Sequence, residues 1–146
     1  MKITTLFASA TLALSLALGG AAAAEGGHNR VTLEQWGAHN GVGLSQNGSR
    51  NRLSVTQDGW RNSTIVTQDG RRNQTVVGQT GYGNGVVASQ GGRCNILGVA
   101  QFGSGNSADV GQSGGCNATA VIQTGRSGQV TTRQAGHGNV AVIIQD

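Results

Sequence analysis

Few residues of this 146-residue chain could carry covalent or acid–base chemistry, and its two cysteines are the most specific of them. Cys94 and Cys116 lie 22 residues apart. A disulfide between them would fit an oxidising compartment, and the alternative is two small residues at a tolerant turn position. Two cysteines without clustered histidines offer too few ligands for a metal ion, so we expect no metal site.

Histidine, serine and glycine motifs do not combine into a catalytic or cofactor site. His28, His39 and His137 are widely separated along the chain. Residues 103–105 lack the spacing of a nucleophile elbow, and residues 81–85 lack the third glycine of a dinucleotide-binding loop. We therefore expect no enzyme activity and no cofactor.

The composition also argues against an ordinary enzyme domain. The chain has 26 glycines and no proline, and 36% of its residues are apolar, 3% aromatic and 11% charged. So few large side chains cannot fill a conventional globular core, and so few charges do not keep a chain solvated and disordered. A repetitive architecture is the better expectation.

The N-terminus has the pattern of a secretory signal peptide. Lys2 precedes an uncharged and largely apolar stretch over residues 6–18, and alanines occupy positions 22–24. The apolar stretch is short for a membrane span. We predict a signal peptide over residues 1–24 and a secreted repeat domain over residues 25–146, with no membrane insertion. In that domain nine arginines against six acidic residues leave a net charge of +3.

An eleven-residue repeat fills the predicted secreted domain. Glutamine recurs without a slip at Gln35, Gln46, Gln57, Gln68, Gln79, Gln90, Gln101, Gln112, Gln123, Gln134 and Gln145. Glycine occupies the position two residues later in the repeat, at Gly26, Gly37, Gly48, Gly59, Gly70, Gly81, Gly92, Gly103, Gly114, Gly125 and Gly136. Asparagine occupies the position five residues after glutamine, at Asn29, Asn40, Asn51, Asn62, Asn73, Asn84, Asn95, Asn106, Asn117 and Asn139, with Gly128 as the exception.

Between each asparagine and the next glutamine, the residues alternate in the manner of a β-strand. Asn51, Leu53, Val55 and Gln57 are spaced by two, which places their side chains on one face of a strand. The Gln-x-Gly-x-x-Asn segment is then a bend, in which glycine permits a backbone conformation that strains other residues. We predict an all-β parallel β-solenoid (β-helix) of about eleven strand–bend units, with two units in each layer.

Two other architectures fit the period less well. An eleven-residue repeat also suits a right-handed coiled coil, but a glycine in every unit costs ~1 kcal/mol in a helix. An antiparallel meander would turn at Asn-Gly pairs, and these pairs do not recur in register.

A solenoid with 22 residues per turn stacks like residues on like. We expect glutamine over glutamine and asparagine over asparagine to form side-chain amide ladders, which satisfy buried polar groups. The same geometry puts Cys94 and Cys116 in adjacent layers, at a Cα separation that permits a disulfide. Because the repeats begin and end without a cap, we expect growth from end to end through the ladder residues.

The repeated Gln-x-Gly-x-x-Asn-x-apolar-x-apolar-x-Gln pattern behind a secretory signal resembles curlin, the bacterial subunit of curli amyloid fibres. The resemblance covers essentially all of residues 25–146. It implies an extracellular, cell-surface amyloid fibre that serves biofilm matrix, surface adhesion and aggregation. The implied partners are further copies of the chain, a companion curlin subunit, an outer-membrane secretion pore and periplasmic chaperones. Curlins occur as major polymerising subunits and as minor nucleators, and both assignments stay open.

A monomeric secreted solenoid that binds a surface, ice or a glycan is the alternative function. The outward positions are irregular from unit to unit, so no single flat receptor face is predicted. We expect the arginines at the bends to act as solvated charge, with contact to an anionic surface, polysaccharide or DNA as the functional alternative. Because aromatic residues are scattered over different bends, we expect no specific nucleic-acid binding.

Overall fold

A computed structural model describes residues 27–146 in full and residues 6–7, 14–16 and 20–24 by their backbone alone. Most of the predicted signal peptide, together with Gly26 of the glycine series, lies outside the described residues. The part of the chain that the structure describes contains no helix long and apolar enough to cross a membrane.

All elements of the described chain are β-strands. Three short strands come first: β1 (Leu6–Phe7), β2 (Leu14–Leu16) and β3 (Gly20–Ala24). The repeat strands follow: β4 (Arg30–Ala38), β5 (Gly41–Ser49), β6 (Arg52–Trp60), β7 (Ser63–Arg71), β8 (Gln74–Tyr82), β9 (Gly85–Arg93), β10 (Ile96–Ser104), β11 (Ser107–Gly115), β12 (Ala118–Gln123), β13 (Gln129–His137) and β14 (Val140–Gln145).

The strands form two seven-stranded sheets, and from β3 onwards they alternate between the two. Sheet A has the order β1-β4-β6-β8-β10-β12-β14, and sheet B has the order β13-β11-β9-β7-β5-β3-β2. From β3 onwards every pairing is parallel and joins residues 22 apart, so that Gln57 pairs with Gln79 and Gln68 with Gln90. The short strands β1 and β2 pair antiparallel with β4 and β3. The predicted parallel β-solenoid with two units per layer is therefore confirmed.

The core is a thin layer of small and medium side chains between the two sheets. Along β7 the inward Thr64, Val66 and Gln68 are buried, whereas the outward Ile65 and Thr67 are exposed. The buried apolar residues are Val31, Leu33, Val42, Leu44, Leu53, Val55, Val66, Val77, Val86, Ala88, Leu97, Val99, Ala108, Val110, Val121 and Val130. Side chains of this size fill the ~10 Å between facing sheets, and β-branched residues suit the extended backbone.

Candidate self-assembly interface

The inward glutamines form a hydrogen-bonded column along each sheet. In sheet A the Nε2 group of Gln57 donates to Oε1 of Gln79 at 2.8 Å, and Gln79 donates in turn to Gln101 at 2.9 Å. In sheet B the Nε2 group of Gln46 donates to Oε1 of Gln68 at 2.7 Å. All five side chains are buried. Each amide meets the amide of the next layer, which is how so many buried polar groups are satisfied.

A second set of bonds ties the glutamines to the opposite sheet. The Nε2 group of Gln57 donates to the backbone carbonyl of Gly41 at 3.2 Å and to the hydroxyl of Thr64 at 3.1 Å. Thr64 donates onward to Oε1 of Gln79 at 2.8 Å, and Thr75 makes the equivalent bonds from sheet A. The sequence places these threonines inward, but bonds between facing sheets depend on an inter-sheet distance that a periodicity does not reveal.

Most asparagines are satisfied differently from the predicted side-chain amide ladder. The Oδ1 atom of Asn51 accepts the backbone N–H of Asn73 in the next layer at 3.0 Å. Its Nδ2 group donates to the carbonyl of Asn47 in its own bend at 2.9 Å and to the carbonyl of Gly70 in the next bend at 3.0 Å. The short asparagine side chain reaches nearby backbone, so it fastens one bend to the next.

The bends contain two positions with positive φ in each repeat. At Gly59 φ is 122°, and an added Cβ would lie closer than 3.0 Å to the carbonyl oxygen of Gly81 in the next layer. The second position, four residues after glutamine, is held mostly by other residue types: His28, His39, Arg50, Arg61, Arg72, Cys94, Cys116 and Ser127. Sequence analysis missed this second position because its residue types vary, although Gly83, Gly105 and Gly138 share it.

Cys94 and Cys116 are joined by a disulfide in the structure. Their Cα atoms are 4.4 Å apart, and both residues have left-handed backbone, with φ of 63° and 54°. The bond therefore clamps two adjacent layers at the edge where the chain passes from sheet B to sheet A.

The two edges of the solenoid differ in charge. We name the edge where the chain passes from sheet B to sheet A the arginine edge. It carries exposed arginines in four consecutive bends: Arg30, Arg50, Arg52, Arg71, Arg72 and Arg93. On the opposite edge Arg61 donates to the hydroxyl of Tyr82 and lies over its ring. On the outer face of sheet B, Arg133 pairs with Asp109 at 2.6 Å, and this hydrogen bond raises the pKa of Arg133.

The histidines do not converge on a site. His28 and His137 lie on the arginine edge, whereas His39 lies on the opposite edge, and all three are exposed. Within the described residues no group of three or more His, Cys, Asp and Glu side chains could hold a metal ion.

The glutamine column of sheet B has an unused acceptor. The Oε1 atom of Gln46 is buried and has no hydrogen-bond partner within the described residues. The backbone of β3 pairs with β5 here, and Ala24 stands in register with Gln46, at the position that glutamine holds in the other layers. At the other end of the solenoid Gln134 and Gln145 are half-buried and Asn139 is exposed.

Comparison with known protein families gives a match for the first repeats of the chain. Residues 22–59 match the family model of the curlin associated repeat. No curated protein and no solved structure matches the chain. The matched segment includes β4 and β5 and ends in β6, and the later strands keep the same 22-residue register as far as Gln145.

Proposed function

We propose that this chain is a curlin-family structural subunit of an extracellular curli-like amyloid fibre that grows by stacking solenoid layers end to end. The fibre serves biofilm matrix, surface adhesion and aggregation. The chain polymerises with its own copies and with a companion curlin subunit, and it reaches the cell surface through an outer-membrane secretion pore with the help of periplasmic chaperones.

The observation that carries this proposal is the likeness of the contacts between successive layers. The Oε1 atom of Gln79 accepts a hydrogen bond from Nε2 of Gln57 in the layer below. The Nε2 group of Gln79 donates to Oε1 of Gln101 in the layer above, so both contacts join the same pair of atom types. A layer of a second copy would meet the same donors and acceptors. Once the predicted signal peptide, which includes β3, is removed, the buried and unpartnered Oε1 of Gln46 is one acceptor of this kind.

The parallel backbone supports the same proposal. The repeat strands pair in identical register, and β8 with β10 and β7 with β9 do so along their whole length, so a terminal repeat strand offers the same row of N–H and C=O groups to an incoming chain. Identical strands stacked in register are the arrangement of cross-β fibres, in which glutamine and asparagine ladders add stability.

The test is polymerisation of the purified chain from freshly desalted monomer, followed by thioflavin T fluorescence. Fibres should form, and fibre diffraction should give a meridional spacing of ~4.8 Å with an equatorial spacing of ~10 Å. A β-rich monomer that persists for days at high concentration in non-denaturing buffer would overturn the proposal. The monomeric binding solenoid would then be the better assignment.

Cross-seeding distinguishes a major subunit from a nucleator. Substoichiometric amounts of a nucleator shorten the lag phase of a companion curlin while contributing little fibre mass. A major subunit forms most of the fibre mass itself and is seeded by its own fragments. The measurement is the lag time and the subunit composition of mixed fibres.

A further inference from the structure

The arginine edge stacks like charges in adjacent layers. Three pairs of arginines are arranged in this way: Arg30 with Arg52, Arg50 with Arg72, and Arg71 with Arg93. Like charges directly opposite each other in a sheet are destabilising, and successive layers are only ~4.8 Å apart. The edge therefore concentrates positive charge at a cost to the stability of the fold.

Five arginines of this edge have no carboxylate as an ion-pair partner in the part of the chain that the structure describes. Arg50, Arg52, Arg71, Arg72 and Arg93 make no ion pair within the described residues. The ion pair that the described residues do contain, between Arg133 and Asp109, lies on the outer face of sheet B. The guanidinium groups of these five arginines are thus left to solvent or to a ligand.

Backbone geometry does not explain the arginines either. Arg50 and Arg72 have φ of 58° and 57°, and in the same column of bends Gly138 has φ of 70°. A left-handed conformation costs a residue other than glycine ~1–2 kcal/mol. Glycine at these two positions would relieve both the backbone strain and the charge repulsion. Stability therefore does not account for the arginine side chains, and a functional role does.

Two adjoining depressions run along the edge. The first has a volume of about 440 Å³ and is lined by His28, Arg50, Arg52, Arg72 and Gln74, with Asn73. The second, of about 380 Å³, shares Arg72 and Gln74 and continues to Arg71 and Arg93. Both volumes fall in the range of ligand sites. Together they make a groove that crosses successive layers, parallel to the stacking axis.

We propose that the arginine edge binds a linear acidic polysaccharide laid along the stacking axis. The guanidinium fork matches a carboxylate with two parallel hydrogen bonds, and several forks in one line bind a repeating anion multivalently. The site belongs to a single chain, so it stands whether or not the chain forms fibres. Stacked copies would present one such groove per subunit.

Nucleic acid fits this edge less well. Single strands are held by aromatic platforms on which bases stack, and the exposed Trp60 and Tyr82 lie on the opposite edge. A nucleic-acid strand carries one charge per ~3.4 Å of axis, whereas the layers that carry the arginines repeat at ~4.8 Å.

The test compares two double variants of equal charge. Arg50→Gly with Arg72→Gly removes the centre of the groove, and the positive φ at both positions favours correct folding. Arg61→Gly with Arg126→Ser removes two charges from the opposite edge, where Ser104 already occupies the position that pairs with Arg126. The full chain is captured at low density on a biosensor, which prevents assembly, and binding of polygalacturonate, dextran and duplex DNA is measured at 50 mM and 200 mM NaCl.

We expect polygalacturonate to bind the wild-type chain with an affinity that falls as the salt concentration rises. The double variant Arg50→Gly with Arg72→Gly should bind it about tenfold more weakly. The control variant should change less than about threefold, and neutral dextran should not bind. Equal losses of affinity in the two double variants would show that binding depends only on net charge, and would overturn the proposal. So would tighter binding of DNA than of polygalacturonate at equal charge and salt, or no binding of polygalacturonate at 50 mM NaCl.

A second variant protects the test from a folding defect. The double variant Arg71→Ser with Arg93→Ser introduces serine, a residue type that the same column of positions already contains at Ser49. This variant should weaken polygalacturonate binding to a similar extent, with an unchanged β-sheet circular dichroism spectrum. Full binding by this folded variant would contradict a groove that extends to Arg93.

Discussion

The hydroxyl of Thr64 in sheet B donates a 2.8 Å hydrogen bond to Oε1 of Gln79 in sheet A. The same hydroxyl accepts a bond of 3.1 Å from Nε2 of Gln57, one layer before Gln79. All three side chains are buried. A threonine of one sheet thus bridges two stacked glutamines of the other, and the sheets are held together by polar bonds as well as by apolar contact.

Removal of one glutamine from the column should be costly. Gln79→Leu takes away the acceptor of Gln57 and the donor of Gln101, and both partners stay buried. We expect the free energy of unfolding to fall by about 3 kcal/mol, because buried polar groups without partners lose their hydrogen bonds to water as well. The measurement is urea unfolding of dilute monomer, followed by circular dichroism.

The matched control for that variant is Thr64→Val. Val86 occupies the same position of sheet B one layer later, and Gln57 keeps its bonds to Gln79 and to the carbonyl of Gly41. The expected loss is about 1 kcal/mol or less. Equal losses for the two variants would contradict the dominant role of the amide column.

The disulfide between Cys94 and Cys116 should stabilise the solenoid measurably. It closes a loop of 22 residues in the unfolded chain, for which the chain-entropy estimate is about 3 kcal/mol. Reduction with dithiothreitol should lower the urea midpoint of the wild-type chain. The variant Cys94→Ser with Cys116→Ser should match the reduced protein and show no response to dithiothreitol, since Ser127 has the same left-handed backbone at the equivalent position. A response of that variant to the reductant would point to an effect outside the disulfide.

Two bend glycines should respond differently to alanine. A Cβ at Gly70 would lie closer than 3.0 Å to the carbonyl oxygen of Gly92, whereas a Cβ at Gly136 would meet only Asn139, at 3.6 Å. Gly70→Ala should therefore destabilise the monomer by more than about 3 kcal/mol, and Gly136→Ala only by the ~1–2 kcal/mol of its positive φ.

If the chain forms fibres as proposed, Gly136→Ala should nevertheless slow fibre elongation strongly. A stacked copy would bring a bend carbonyl against the added methyl group. Seeded thioflavin T kinetics measure this effect. Elongation at the wild-type rate by the folded Gly136→Ala chain would contradict stacking at that end of the solenoid.

Glycine in place of a left-handed arginine should stabilise the monomer. Arg72→Gly relieves backbone strain at φ 57° and removes the repulsion from Arg50, so we expect the free energy of unfolding to rise by about 1 kcal/mol. Arg61→Gly relieves the same strain at φ 57° but loses the bond and ring contact with Tyr82, and its gain should be smaller. Urea midpoints at low salt give the comparison, and a larger gain for Arg61→Gly would speak against charge repulsion on the arginine edge.

Much of the fold follows directly from the sequence. The recurrence of glutamine every eleven residues, as at Gln57, Gln68 and Gln79, predicts the length of one strand–bend unit, and the alternation around Val55 predicts which side chains face inward. Both inferences rest on covalent geometry, because successive side chains of an extended strand point to opposite faces. The period of the repeat therefore predicts the strand, the bend and the layer.

Contacts between chain segments were decided only by the tertiary structure. Asn51 binds backbone rather than the next asparagine because its short side chain lies close to two bend carbonyls. The bridge from Thr64 to Gln79 depends on the distance between the sheets, and the left-handed backbone of Arg72 lies at a bend position whose residue type varies from repeat to repeat. A periodic sequence states which residues recur, whereas the distances across layers and sheets arise only when the turns pack against each other.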